Sequence, residues 1–372
     1  MKKARELLYK IYKQNLNNQI INTIINYLFI RVFQPIKHII SKKYVCSNIK
    51  NSPIKIAIIC DEMTWRNLEK EISIVYITPW NYKKVFTKYK PDIFICESAW
   101  SGIEELHECW RGRIYKNSSV KFDNRRELYK ILEYCDKENI KTIFWNKEDP
   151  TFFDDAQYDF VSTALDFSVI FTTSEECIDM YKDKGHSNVK LLTFSASTKL
   201  YYRKLEICKK NQAVFAGSWY LEQKKRCIDM EKIFDMVLNK GIELIIYDRQ
   251  SNSGNMNNLY PLKYHKYIKP AVPFGELNDI YNESKYIINI NTVMDSKTMF
   301  ARRVFEAMLC DCIVISNESS GLKSIFSNNI WFADSIFDIE NIDKAIKINK
   351  EIVEKNYTVK KMIEMIIKSQ KN

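Results

Sequence analysis

Short, almost continuously apolar runs recur along this chain from Ile54 onward, each followed by polar residues and then by a helical pattern. Ile54–Cys60, Glu71–Ile77, Asp92–Cys96, Lys141–Trp145, Phe167–Phe171 and Val189–Leu192 form a first set. Ala213–Phe215, Ile242–Tyr247, Tyr267–Val272, Tyr286–Ile290 and Cys312–Ile315 form a second, with Asn329–Phe332 at its end. Runs this short and this apolar are strands covered on both faces, and strands alternating with helices build a parallel sheet. The pattern lapses at residues 195–212 (SASTKLYYRKLEICKKNQ), which read as a connection, and then restarts. The expectation is an α/β protein of two similar domains, 51–205 and 206–345, with a cleft between them. A helical arm precedes them at 1–50, and helices follow at 346–372.

The arm carries most of the charge. Residues 1–50 hold ten Lys or Arg against one acid, Glu6, a net +9 of the +11 for the 372-residue chain. Apolar residues from Leu7 to Phe33 recur there at three- and four-residue steps, and Pro35 divides the segment. A basic amphipathic arm suits an anionic membrane surface, a partner helix or the protein's own body. Nucleic acid fits it less well, because the charges are spaced by apolar turns without a stacking pattern. Ile20–Phe33 is broken by Asn22, Thr23, Asn26 and Arg31, short of the roughly 18 apolar residues a bilayer span needs. No signal peptide is evident. The ten Cys include no CxxC pair, and the four His do not cluster. That spacing supports neither a metal site nor a disulfide framework, and free thiols point to the cytoplasm.

Polar residues gather after the strands, where open α/β sheets place their ligands. The densest stretch is Tyr286–Gly321, which reads strand, loop, helix over Met299–Leu309, and strand. Arg303 and Glu306, three apart, share a helix face. A forked cation near a helix N-terminus and an acceptor-only carboxylate would together suit a ligand bearing phosphate and a diol; a solvent-facing ion pair is the plainer alternative. Gly217-Ser218, between a strand and a helix with Lys224, Lys225 and Arg226, could cradle a pyrophosphate or simply turn the chain. Asp61, Glu97, Glu148 and Asp149 end strands of the first domain, as candidate bases for an acceptor hydroxyl or as caps. Trp65, Trp100 and Trp219 near these ends could stack on sugars or bases, or pack in the core. No GxGxxG, GxxxxGK[ST] or GxSxG occurs, which removes support for an NAD-dependent oxidoreductase, a P-loop ATPase or an α/β-hydrolase.

Taken in order, PDIFICESAWSG (91–102), FWNKEDP (144–150), VIFTTSEE (169–176), VFAGSWY (214–220), FGEL (274–277), YNESKYIININ (281–291) and TMFARRVFEAMLCDCIVIS (298–316), with GL at 321–322, carry a resemblance. The chain resembles the metal-independent glycosyltransferases of the two-Rossmann-domain (GT-B) architecture. Within them it is similar to the spore-maturation-protein type, with a glycosyltransferase family 1-like C-terminal half. The resemblance implies an acceptor-side first domain, a nucleotide-sugar-binding second domain, and C-terminal helices that return to the first. It implies transfer from a nucleotide-diphosphate sugar, expected to be a UDP-sugar, to a glycan, lipid-linked or protein acceptor, with no cofactor and no metal. A non-catalytic nucleotide- or glycan-binding protein of the same fold is the alternative.

Residue by residue, the resemblance gives Glu306 to the ribose, Arg303, Gly217 with Ser218, and Arg226 to the diphosphate, and Gly275 with Leu277 to the base. Asn291, Thr292, Asp295 and Met299 would line the donor pocket, and Asp61, Glu97 and Asp149 are the candidate catalytic acids. Two departures stand out. Thr298 occupies the place of an earlier Glu common in retaining members, and Asp311 replaces a common Gly, which implies a different local turn. The enzyme would be cytoplasmic, with residues 1–50 holding it to the cytoplasmic face of a membrane.

Overall fold

A computed structural model describes residues 19–36, 44–49, 52–251, 256–333, 335 and 342–369. Contacts divide the chain into two compact units, Met1–Leu192 and Thr193–Asn372. In the first, β1 (Lys55–Ile59), β2 (Ser73–Tyr76), β3 (Ile93–Glu97), β5 (Lys141–Asn146), β7 (Val169–Thr172) and β8 (Val189–Leu191) form one sheet in the order β2-β1-β3-β5-β7-β8. Every pairing in it is parallel. A separate two-residue ribbon pairs β4 (Lys116–Asn117) with β6 (Tyr158–Asp159) antiparallel. Strands β2, β3 and β7 are buried along their whole lengths, as their unbroken apolar runs require.

The second unit repeats the plan. Its strands are β9 (Lys210–Gly217), β10 (Glu243–Asp248), β11 (Ile268–Pro270), β12 (Ser284–Asn289), β13 (Ile313–Ser316) and β14 (Trp331–Phe332). They pair in parallel in the order β11-β10-β9-β12-β13-β14. Successive residues serve opposite faces. Val214, Ile245, Ile287 and Val314 pack in one core cluster, while Ala213, Phe215, Leu244, Ile246 and Ile288 pack in the other. Counted along the chain this is the order 3-2-1-4-5-6 of doubly wound nucleotide-binding sheets, whose crossovers reverse between β9 and β12. In the first unit the reversal falls between β1 and β3. Ligand crevices of such sheets open at the carboxyl ends of the strands flanking that reversal.

Residues 195–209 belong to the packing of the second unit and are not a loose connection. Ala196 bridges Thr358 in parallel, and Tyr201 is buried in stacked contact with Tyr281. The Asn282 side chain accepts from the Lys204 amide at 2.7 Å and from Arg203 at 3.1 Å. At Asp311 the chain turns left-handed with φ 55°, a conformation glycine adopts freely and Asp tolerates. The turn expected to differ where Asp replaces Gly is thus one that Gly would also fit, with the carboxylate paired to Lys350 at 2.8 Å.

The arm packs on its own unit over the residues described. Its helix runs Gln19–Leu28 and continues through a π-turn at Phe29–Phe33. Arg113, fully buried, donates to Ile30 O at 2.5 Å, Gln34 Oε1 at 3.1 Å and Glu127 Oε2 at 2.8 Å, while Arg31 reaches Glu127 Oε1 at 2.5 Å. Residues 1–18 and 37–43, which hold most of the arm's charge, lie outside the described set. No described helix is long and apolar enough to cross a membrane. All ten cysteines are free; Cys46 and Cys208 are exposed and the other eight buried.

Candidate functional site

The reversal point of the second sheet is spanned by one guanidinium. Arg303 donates to Ala216 O of β9 at 2.7 Å, reaches Ile288 O of β12 at 3.5 Å, and lies 5.1 Å above the Phe215 ring. Arg226, on the helix Lys224–Asn239, donates to Ser218 O at 3.0 Å and covers the Tyr220 ring. Arg249 follows the end of β10, is exposed, and its amide donates to Gly217 O at 3.0 Å. These cations lie within electrostatic reach of one another. Burial lowers Arg226 below the ordinary guanidinium value and Arg303 lowers it further. Arg303 is lowered by burial and by Arg249, with Tyr281 opposing. Among the described residues none of the three forms an ion pair with a carboxylate. Polar atoms nearby are also unanswered there: Ser218 Oγ, Asn289 Oδ1 and Tyr260 Oη are buried without a hydrogen-bond partner. Tyr260 is coupled electrostatically to Arg226, Arg303 and Arg249. Clustered cations with unmatched donors and acceptors are the arrangement an anionic ligand would complete.

Packing alone requires glycine at 217. A Cβ there would stand 2.4 Å from the tip of the Phe215 ring, the ring that supports Arg303. The helix carrying Arg303 is shorter than its periodicity suggests. It runs Arg303–Leu309, because side chains hold the preceding segment in a loop. Ser296 Oγ accepts the Met299 amide at 3.1 Å, and Asn291 Oδ1 accepts the Ala301 amide at 3.4 Å. Arg303 therefore opens the helix instead of sitting inside it.

Glu306 forms no solvent-facing ion pair with Arg303. It is buried, and its Oε1 accepts from Arg302 Nε at 2.6 Å. The i,i+4 neighbour captures the carboxylate, and the pair is buried where a solvent-facing one was the plain expectation. Tyr201 and Tyr281 face the same carboxylate, and burial pushes both phenols up. The remaining donor-side residues separate by exposure. Thr292, Asp295 and Gly275 are exposed, with open space around Gly275; Met299 and Leu277 are half-buried. Asn291 is buried in a network with Asn289 and Ser316 and has a structural part of its own. Arg249, Arg302 and Tyr260 were not singled out from sequence. The rule that polar residues after a strand carry chemistry would have found Arg249; nothing in the local pattern marks Tyr260.

In the first unit the strand-end acids turn inward. Both Asp61 oxygens are taken by backbone amides of the loop after β3: Trp100 at 2.8 Å, Ser101 at 3.0 Å and Gly102 at 2.7 Å. Asp61 thus fastens that loop across the reversal point. Glu97 is fully buried and forms an ion pair with Lys147. Burial pushes the Glu97 carboxyl up, and Lys147 only partly reverses this. Burial would lower the Lys147 ammonium, but Glu97 and Asp61 hold it above its ordinary value. Asp149, also fully buried, accepts from Thr172 Oγ1 and Asn146 Nδ2, each at 2.7 Å. Burial raises its carboxyl to about 7. Asp61 is thus held by amides, and Glu97 and Asp149 are enclosed. Glu148 is half-buried, raised by burial and lowered in part by Lys147 and Trp100. The Trp100 ring is hemmed by Tyr115, Phe152, Tyr158 and Phe160 at centroid distances of 5.1–5.3 Å, so packing claims much of it. Trp65 and Trp219 are buried. Among the described residues no three His, Cys, Asp or Glu side chains converge as a metal would require.

Comparison with known proteins bears on the fold. A family model described as glycosyl transferase-like matches residues 244–359. No curated protein matches by sequence. Among solved structures, an alpha-glucosyltransferase in complex with UDP-glucose and DNA containing an abasic site aligns with a TM-score of 0.57 at 13% identity, over 86% of this chain and 99% of its own. The Anabaena protein HepE in complex with UDP-glucose aligns with a TM-score of 0.51 at 11% identity, again over 86% and 99%. At such identities the likeness is one of fold, and it extends across both units. Two parallel Rossmann-like sheets with intervening helices, behind an N-terminal helical segment, give this chain the GT-B fold.

Proposed function

We propose that the protein is a glycosyltransferase that moves a sugar from a nucleotide-diphosphate sugar, a UDP-sugar, to a hydroxyl of a glycan, lipid-linked or protein acceptor. The observation that carries this reading is the gathering of Arg226, Arg249 and Arg303 at the reversal point of the second sheet, none of them in an ion pair with a carboxylate among the described residues. Grouping cations in a partly dry site costs free energy, and a diphosphate would return it. As the sugar departs, negative charge grows on that diphosphate, so donors already in place favour the transition state over the ground state. Arginine neutralisation of this kind does what a bound divalent ion would otherwise do. Ser218, Tyr260 and Asn289 would complete the phosphate and ribose contacts, with Gly275 and Leu277 near the base. Glu306, held by Arg302, would accept from the ribose with the oxygen that Arg302 leaves to it. Of the strand-end acids in the first unit, Glu148 is our first candidate base, being half-buried where Glu97 and Asp149 are fully buried, and burial raises its carboxyl. The closer likeness to the spore-maturation-protein type rests on the sequence motifs alone.

A second reading has one observation in its favour. Asp61, Glu97 and Asp149 are all engaged, which suits a protein that binds a nucleotide or glycan without turning it over. The same experiment separates the two. Calorimetric titration with UDP, GDP, dTDP and their sugars should show UDP binding. Arg303→Ala and Arg226→Ala should each weaken it about tenfold to a hundredfold, the worth of a charged hydrogen bond. Unchanged affinity in both variants would overturn the reading. UDP release from UDP-sugars, with glycans, lipid-linked sugars, proteins and DNA offered as acceptors, then identifies turnover. UDP-sugar binding with no release on any acceptor or water would favour the binding protein.

A further inference from the structure

The helix Gln19–Leu28 and its continuation to Ile36 carry apolar side chains on two faces. Toward the body, Ile25 and Ile30 are buried together with the polar Asn22, 1% exposed, and Gln34, 3%. On the opposite side Ile20 is 60% and Ile24 54% exposed, and Tyr27, Val32 and Ile36 are exposed as well. Arg113, Arg31 and Gln34 add hydrogen bonds and an ion pair to the inward face. The π-turn at Phe29–Phe33 adds a residue to the turn and brings Val32 and Ile36 closer to the line of Ile20, Ile24 and Tyr27 than an unbroken α-helix would. An outward apolar stripe of this kind is stable in water only at a cost.

Charge identifies what would cover it. Residues 1–18 carry five Lys or Arg against one acid, and 37–43 carry three Lys and no acid, so basic sequence brackets the stripe on both sides. The exposed Lys121 lies beside it, its amide donating to Thr23 Oγ1 at 3.1 Å. We propose that this stripe rests in the interface of an anionic lipid bilayer, its apolar side chains among the acyl chains' outer carbons, with the positive charge of the surrounding sequence favouring an anionic surface over a neutral one. Each basic side chain close to such a surface strengthens binding about fivefold, and the apolar stripe supplies the part that salt does not screen. The inference is independent of the nucleotide reading, because no residue of the second unit takes part.

Vesicle co-sedimentation of the full chain tests it, with phosphatidylcholine alone and with an equal mixture of phosphatidylcholine and phosphatidylglycerol. The expected result is binding to the mixed vesicles, weakened by salt, with little binding to the neutral ones. Ile24→Asp with Val32→Asp should reduce partitioning about tenfold or more, since burying these side chains is what the bilayer contributes. Both substitutions face outward, so thermal unfolding and the UDP-induced shift should stay as in the parent. Absence of binding to anionic vesicles, equal binding to neutral ones, or equal binding of the double variant would overturn the proposal. So would a dimer of the parent chain in light scattering that the double variant loses, because the stripe would then be covered by a second copy.

Discussion

Asp149 is a carboxyl enclosed with neutral partners: Thr172, Asn146 and, at 3.5 Å, Tyr181. No cation offsets its burial, so its proton is held up to about 7 against an ordinary 3.8. Between those values the folded protein binds more protons than the unfolded chain, and stability therefore falls as pH rises through the window. The full span is on the order of 4 kcal/mol. Asp149→Asn keeps the shape and should remove that slope, since an amide can donate to Thr172 while the Thr172 hydroxyl turns to Ser174 O, 3.3 Å away. Denaturant melts of parent and variant at several pH values between 4 and 8 check this, and parallel pH profiles would refute it. The same residue shows what sequence conceals: an acid after a strand looks alike whether it faces solvent or is sealed by a Thr and a Tyr from elsewhere in the chain. Gly217 was visible as a position needing glycine, but the cause, the Phe215 ring two residues earlier, depends on a rotamer that no pattern encodes.

Elements were more legible than residues. Continuous apolar runs marked every long strand, because a strand buried on both faces leaves no room for alternation. Helix limits were less legible where side chains compete with the backbone: Ser296 and Asn291 take amides that a helix from Met299 would have used. Strand order could not be read at all, since it is fixed by pairings between distant runs. The arm's attachment is equally non-local. Arg113 serves Ile30, Gln34 and Glu127 together from a buried position, and burial holds it down to about 10. Arg113→Ala should cost the first unit about 1–3 kcal/mol, because Ile30 O and Gln34 Oε1 lose their buried donor while Glu127 keeps Arg31 and Arg126. Protease protection across residues 19–36 should fall with it; a variant as stable and as protected as the parent would contradict this account.

Each unit has its own sheet, and the second has a core cluster on either sheet face. Cores of this independence should melt as separate cooperative steps. Calorimetry is expected to resolve two transitions, with UDP raising the one that Arg303→Ala lowers in its response. A single transition moved as a whole by UDP would show the units to be coupled. The thiols offer a direct way to watch them. Of the ten, only Cys46 and Cys208 are exposed, and burial pushes the other eight above their ordinary values, Cys109, Cys135 and Cys177 to about 12. Cys46 belongs to one unit and Cys208 to the other. The wild-type chain thus comes with two natural attachment points for maleimide dyes, and donor–acceptor fluorescence between them can test for a change of distance on adding UDP without engineering a single position.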